Sequence, residues 1–217
     1  MERTSTLWTR VVVAVVAAVA TCAVAGVMAQ TANADALTTY SMKEFKGTFT
    51  VYQSTDDNWF NVTGSKKFSA LKSSKKSVAK VEKDGSKKLL VTVKKPGTTK
   101  ISFKYGGKKK TVKMVVKKYT CPVKTFKIGS KNLTKKYKKK DLYDTTATYT
   151  GKLKVKAKSG WKVGKIKVLR MGDEDTGLTT IKSGSKIKDM DAYIYVQMIN
   201  KKTKGEIILQ YGTSGWL

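Results

Sequence analysis

The sequence predicts an all-β protein built from short strands. Several segments alternate polar and apolar residues, which is the period of a strand with one buried and one solvent-facing side. Turn signals containing glycine separate these segments at short intervals, and no helical periodicity follows residue 40. These observations are typical of a β-sandwich or a β-barrel.

The clearest strands are three alternating segments, Lys100–Tyr105, Lys152–Lys158 and Lys165–Val168. Two further apolar segments, Ala192–Ile199 and Glu206–Tyr211, are predicted to be a central and a last strand. Six turn signals, each containing glycine, are predicted between the strands: Asp84-Gly85, Pro96-Gly97, Gly106-Gly107, Ser159-Gly160, Ser183-Gly184 and Tyr211-Gly212.

The N-terminus has the three parts of a secretory signal peptide. Arg3 and Arg10 lie in its positive start, Val11–Ala29 is an uncharged apolar run, and Ala32-Asn33-Ala34 forms a small-residue cleavage site before Asp35. The sequence therefore predicts a signal peptide over residues 1–34 and an exported mature chain.

Two alternatives remain for this segment. The apolar run is long enough to span a bilayer, so residues 11–29 would be an uncleaved anchor if cleavage failed, with the bulk of the chain outside. Lipidation at Cys22 is the other alternative, although Thr21 matches a lipoprotein cleavage box poorly. Export is expected in every case, and the absence of paired cysteines from the mature chain favours a bacterial source.

The mature chain is predicted to form two small β modules, residues 35–118 and 119–217. The boundary is placed in the segment around Pro122, one of only two prolines. Cys121 lies beside it, and its simplest role is that of a linker residue or a small buried residue. Pairing between chains is the alternative.

Residues 69–118 resemble the bacterial immunoglobulin-like domain, group 2. A double serine at 73–74 precedes Ser77-Val78-Ala79-Lys80-Val81, and Asp84-Gly85 forms the turn to Leu89–Val93. Gly97-Thr98-Thr99-Lys100-Ile101 matches the closing strand motif. The sequence departs from the pattern in two places, since a tryptophan usual before the serines is replaced near 68–71 and Lys87-Lys88 lengthens a turn.

This resemblance implies an exported immunoglobulin-like β-sandwich that acts as a spacer or adhesive module at a cell surface, without catalytic residues or a cofactor. Residues 119–217 are only loosely similar, and Pro122–Ile128 and Gly160-Trp161 are their clearest strand entries. The predicted architecture is therefore two small immunoglobulin-like β-sandwiches after an N-terminal signal peptide helix.

The charge of the chain is the main functional signal. It has 45 basic and 15 acidic residues, a net charge of +30 and no histidine. Only Arg3, Arg10 and Arg170 are arginines. Lysine is a solvated point charge, whereas arginine pairs with phosphate and guanine in two-pronged geometry, so its scarcity counts against nucleic acid as the partner. Alternating lysines also have a structural explanation, because they keep strand surfaces soluble and discourage sheet-to-sheet aggregation.

Two lysine runs are candidate polyanion-binding sites. The alternative is a solvated loop for the first and a hairpin turn, after Gly106-Gly107, for the second. The candidate residues are Lys135, Lys136, Lys138, Lys139 and Lys140 in the first run and Lys108, Lys109 and Lys110 in the second.

Aromatic and acidic groups give weaker signals. Tyr105, Tyr119 and Tyr137 lie near lysines, as base-stacking residues do, but core packing is the favoured interpretation. Trp59-Phe60 is interpreted as strand-end packing in preference to a carbohydrate-stacking loop. The acidic cluster Asp173–Asp175 lacks the spacing of a calcium loop, and no metal site or catalytic motif is identified.

The function predicted from sequence is that of a non-enzymatic, secreted or cell-surface protein of a Gram-positive bacterium. Its expected partners are anionic cell-envelope polymers or host surface glycans. The alternatives are a structural spacer or adhesin whose lysines only maintain solubility and, less favoured, a nucleic-acid binder. A membrane is expected as a partner only through residues 11–29, if they stay uncleaved.

Overall fold

The computed structural model describes residues 39–55, 58–170, 178–189 and 191–213. Within them the chain is built from strands, with one short 3-10 helix, Thr134–Tyr137. The signal peptide predicted over residues 1–34 lies outside the described residues. Among those described, no helix is long and apolar enough to cross a bilayer.

The first half of the chain forms two four-stranded sheets, in the orders β1-β3-β6-β5 and β2-β8-β7-β4. Its strands are β1 (Thr39–Ser41), β2 (Thr48–Tyr52), β3 (Trp59–Thr63), β4 (Phe68–Ser73), β5 (Ala79–Lys83), β6 (Lys88–Val93), β7 (Gly97–Tyr105) and β8 (Lys108–Lys117).

The strand order of this half is that of an immunoglobulin-like sandwich. Strands β1, β3, β6 and β5 take the places of the A, B, E and D strands, while β4, β7 and β8 take those of C, F and G. Strand β1 pairs in parallel with β3, which departs from the antiparallel sheets of that fold, and β2 pairs in parallel with β8. The inward residues of both sheets fill one core, which includes Val62, Phe68, Leu89 and Phe103.

The second half repeats this plan with a four-stranded sheet, β10-β9-β12-β15, and a five-stranded sheet, β11-β17-β16-β13-β14. Its strands are β9 (Val123–Ile128), β10 (Lys131–Asn132), β11 (Leu142–Thr145), β12 (Gly151–Ala157), β13 (Trp161–Arg170), β14 (Thr179–Ile181), β15 (Lys186–Ile187), β16 (Asp191–Asn200) and β17 (Glu206–Thr213).

The second half is also a sandwich, with β11 pairing in parallel with β17 as β2 does with β8. A separate core lies between its sheets and includes Phe126, Leu153, Val168 and Leu209. The predicted all-β class with two immunoglobulin-like sandwiches is thus confirmed. Cys121 is buried in the second core, where its thiol contacts the Val123 carbonyl oxygen at 3.6 Å.

The two sandwiches meet at a joint built from strand edges and turns. The rings of Tyr52 on β2 and Trp161 on β13 lie 5.0 Å apart. Thr55 donates backbone and side-chain hydrogen bonds to one oxygen of the buried Asp141 carboxylate. Gly205 sits against the Thr50 carbonyl oxygen, where a Cβ atom would come within 2.9 Å. Close contact at the joint therefore depends on the absence of a side chain at this glycine.

Candidate polyanion-binding surfaces

The outer face of the sheet β2-β8-β7-β4 carries a regular array of lysines. Ile101, Phe103, Val112 and Met114 point into the core, so the residues that alternate with them point outward. Five exposed, outward lysines of β4, β7 and β8 form what we call the first lysine face. They are Lys72, Lys100, Lys104, Lys109 and Lys113.

Register places lysines of the first lysine face directly opposite one another. Lys100 pairs with Lys113, and Lys104 pairs with Lys109. Between these rows, the hydroxyls of Ser102 and Thr111 lie 3.2 Å apart in hydrogen-bonding contact. Directly opposite side chains have Cβ atoms about 5 Å apart, so like charges there destabilise the sheet.

The sheet β10-β9-β12-β15 of the other sandwich has the same character. Leu153 and Val155 are buried, so the lysines that alternate with them on β12 point outward at intervals of about 7 Å. We call the outward lysines of β9, β12 and β15 the second lysine face. It consists of Lys127, Lys152, Lys154, Lys156 and Lys186, of which only Lys127 is partly covered.

Like charges also oppose one another in the second lysine face. Lys154 pairs with Lys127, and Lys152 pairs with Lys186. No strand of either lysine-bearing sheet contains an aspartate or glutamate. The positive charge of each lysine face is therefore not neutralised by a carboxylate on a strand of the same sheet.

The carboxylates of the described strands lie on the other sheet of each sandwich. Glu82 on β5 pairs with Lys80 at 2.6 Å, and both side chains are exposed. Asp191 on β16 is buried and pairs with Arg170 at 2.8 Å. Glu206 on β17 is half-buried at the joint. Each sandwich thus separates its charges, with one sheet acid-free and lysine-rich.

The lysine run at 135–140 lies beside, not on, the second lysine face. Lys135 and Lys136 belong to the 3-10 helix, which packs its buried Tyr137 into the core. The Lys136 amine stands over the Tyr143 ring, 4.8 Å from its centroid, so an internal cation–π contact engages it. Lys138, Lys139 and Lys140 are exposed in the following loop. Anion binding by this run stays a prediction.

The run at 108–110 is divided between two sides of its strand. The hairpin turn is Gly106-Gly107, and Lys108 already begins β8, so the interpretation of these lysines as turn residues is wrong. Both glycines adopt positive φ, which lets the turn close within two residues. Lys109 then joins the first lysine face, while Lys110 pairs with the buried Phe103 at the sheet's other side.

The tyrosines near lysines are structural, as predicted. Tyr137 is fully buried and donates its hydroxyl to the Gln210 carbonyl oxygen at 3.0 Å. Its burial raises the pKa of this hydroxyl. The Tyr119 hydroxyl donates to the Tyr137 carbonyl oxygen at 2.7 Å, and the Tyr105 ring packs on Phe68 with centroids 5.0 Å apart. None of these rings is presented as a base-stacking platform.

The remaining candidates contribute no site within the described residues. Trp59 and Phe60 begin β3, with Phe60 buried in the core, as the strand-packing interpretation predicts. Asp173–Asp175 lies outside the described residues. In the part of the chain that the structure describes, no group of aspartate, glutamate or cysteine side chains is arranged to hold a metal ion.

No protein-family model matches the chain, and no curated protein matches it. Among solved structures, surface layer protein SbsC domains 1–6 shares 12% identity over 75% of this chain, with a TM-score of 0.30. The match spans 24% of that chain. SbsC domains 5–6 matches at 16% identity over 78% of this chain and 94% of its own, with a TM-score of 0.29. Titin domains I67–I69 matches at 12% identity, over 79% and 63%, with a TM-score of 0.23. Scores this low carry no argument about fold or function, so the strand order alone supports the immunoglobulin-like assignment.

Proposed function

We propose that this protein is a non-enzymatic, exported module that binds anionic cell-envelope polymers through its lysine faces. The polymers would be linear polyphosphodiesters such as wall teichoic acid, and the setting would be the outside of a Gram-positive cell. The sandwiches act as rigid supports, and binding is electrostatic and multivalent.

The observation that carries this proposal is the direct opposition of lysines on two acid-free sheets. If the lysines served only solubility, interspersed charges of both signs would serve as well and cost less stability. Lys100 opposite Lys113 and Lys127 opposite Lys154 place like charges where they repel. A bound polyanion relieves that repulsion, so an anionic partner would stabilise this arrangement of lysines.

Lysine chemistry also favours a polymer over a sequence-specific ligand. An ammonium group is a compact, strongly hydrated charge on a flexible stem, which suits repeated, loosely positioned phosphates. The lysine charges are exposed to solvent. Binding should therefore weaken as salt rises, because salt screens interactions between exposed charges beyond about 8 Å at physiological ionic strength.

The test is sedimentation of the purified full chain with Gram-positive cell walls, with and without teichoic acid, over a salt series. Two variants with five Lys→Gln changes each are compared. One changes the second lysine face, and the matched control changes five exposed lysines outside both faces and both runs, Lys75, Lys76, Lys83, Lys87 and Lys95. Circular dichroism checks that all proteins are folded.

We expect binding that requires teichoic acid, falls as salt rises and is weakened several-fold by the second-face changes. The control variant should keep most of its binding. Absence of binding at low salt would overturn the proposal and favour the spacer alternative. Tighter binding to duplex DNA than to teichoic acid, with a steep salt slope, would favour the nucleic-acid alternative instead.

A further inference from the structure

The joint fixes which side of the second sandwich is free. The five-stranded sheet β11-β17-β16-β13-β14 turns its outer side chains toward the first sandwich. Glu206 on β17 accepts a hydrogen bond from Gln197 on β16 at 2.8 Å and, across the joint, one from the Tyr40 hydroxyl at 3.4 Å. Lys165 and Lys167 of β13 line a small cavity with the same tyrosine. This sheet therefore lies between the second core and the first sandwich.

The second lysine face belongs to the opposite sheet of that sandwich. Side chains that leave β12 outward point away from the core, and the core separates them from the five-stranded sheet. The two sheets of a sandwich lie about 10 Å apart. The second lysine face therefore looks away from the first sandwich, with the whole thickness of its own sandwich between them.

The first lysine face stays accessible at the same time. The joint touches the edge strand β2, through Thr50 and Tyr52. The lysines of the face lie on β8, β7 and β4, which follow β2 in order away from that edge. Their side chains are exposed with the joint formed. Two lysine faces are thus presented by separate sandwiches.

We infer that one molecule cross-links two anionic polymer chains, with each lysine face holding a different chain. This inference rests on the proposed polyanion binding and adds bridging to it. A segment bound flat on the second lysine face runs on the far side of that sandwich, so it does not continue straight onto the first lysine face.

A two-step capture assay tests the bridge. Biotinylated poly(glycerol phosphate) is fixed on a streptavidin surface, the purified full chain is bound and unbound protein is washed away. Fluorescent poly(glycerol phosphate) in solution is then added at low salt. The wild type is compared with a first-face variant, with Lys72, Lys100, Lys104, Lys109 and Lys113 changed to Gln, and with the second-face variant. The variant with Lys→Gln changes at Lys75, Lys76, Lys83, Lys87 and Lys95 is the matched control.

We expect the wild type and the control variant to capture the fluorescent polymer. Each single-face variant should still bind the fixed polymer but capture at least five-fold less of the soluble one. Capture by both single-face variants at the wild-type level would overturn the bridge, as would binding of the fixed polymer by wild type without any second capture. Failure of the wild type to bind the fixed polymer would instead overturn the proposed function itself.

Discussion

Glu206 shows how the joint affects the protonation of a single residue. Burial raises the pKa of its carboxyl group, and the nearby negative charge of Glu44 raises it further. Lys165 acts in the opposite direction, as do the hydrogen bonds from Gln197 and Tyr40. Burial also raises the pKa of the Tyr40 hydroxyl, which therefore remains a donor at the joint. The net result is a carboxylate whose ionisation the folded state disfavours.

The raised pKa predicts a gain in stability for Glu206→Gln. A group with a raised folded-state pKa stabilises the fold at low pH, and this contribution is lost as the pH rises through that pKa. Glutamine keeps an oxygen for the same donors without a charge. The variant should have a higher thermal midpoint than wild type at about pH 7, with the difference shrinking as the pH falls to about 4.

Glu44→Gln is the matched control, with the opposite sign. Glu44 accepts hydrogen bonds from the backbone N–H and the hydroxyl of Ser41, each at 2.7 Å, and the backbone bond is the main cause that lowers its pKa. Its ionised form therefore stabilises the fold at neutral pH, and that contribution is lost as the pH falls through the folded-state pKa. A lower midpoint for Glu206→Gln at neutral pH would contradict the assignment.

Thr99 connects the two sequence motifs of the family resemblance. Its buried hydroxyl lies 3.0 Å from the Ser73 hydroxyl and 3.2 Å from that of Ser74, and it accepts the Lys75 backbone N–H at 3.0 Å. The double serine and the closing glycine–threonine motif, separate in sequence, thus meet as one polar cluster. The sequence alone could not show that these hydroxyl groups are partners, because their contact depends on the register of β4 and β7.

Thr99→Val should destabilise the first sandwich. The change preserves shape but removes the hydroxyl, which leaves the Lys75 N–H and the Ser73 hydroxyl without this partner. An unsatisfied buried polar group costs about 1–3 kcal/mol, so we expect a loss of about 2 kcal/mol in the free energy of unfolding. Urea denaturation measures it. Thr99→Ser, which keeps the hydroxyl, should lose less than half as much. An unchanged stability of Thr99→Val would contradict the role given to the hydroxyl.

At the scale of the strands, alternation predicts which lysines face solvent but not which lysines face each other. The pattern at Lys100–Tyr105 and Lys152–Lys158 was sufficient to place β7 and β12 and their buried residues. The opposition of Lys127 and Lys154 depends on pairing between strands distant in sequence. The density of lysines along the sequence therefore pointed to the 135–140 run. The two lysine faces, in contrast, form only when the strands pair in the folded sheets.

Lys154→Gln should stabilise the second sandwich while it weakens polymer binding. The change removes the repulsion between Lys154 and Lys127, and cross-strand pairs contribute roughly 0.2–1 kcal/mol. We expect a gain of about 0.5 kcal/mol in the free energy of unfolding at low salt, which shrinks as salt screens the pair. Urea denaturation at two salt concentrations measures it. Lys140→Gln, in the loop, should leave stability unchanged, and an equal gain there would point to net charge as the cause.

At the scale of the whole molecule, the sequence predicted two modules but not the way they meet. Tyr52 and Trp161 are spaced like ordinary strand residues, and nothing in the sequence pairs them. In the sequence, Gly205 is not distinguishable from other turn glycines. In the structure, its lack of a side chain lets the Thr50 carbonyl oxygen approach closely. Contacts between modules follow from surface shape, which periodicity does not encode. The opposed direction of the second lysine face was therefore accessible only from the structure.

Tyr52→Ala tests whether the joint couples the two sandwiches. The Tyr52 ring packs on Trp161 and against the second core, and aromatic pairs contribute about 0.5–1.5 kcal/mol beyond the area they bury. Without the ring the sandwiches should unfold independently, so calorimetry should resolve two transitions where the wild type shows one. Tyr105→Ala, which removes a ring from the first sandwich away from the joint, should lower the midpoint and keep a single transition. Two resolved transitions in the wild type would mean that the joint transmits no stability, and a rigid bridge between polymer chains would then lack its support.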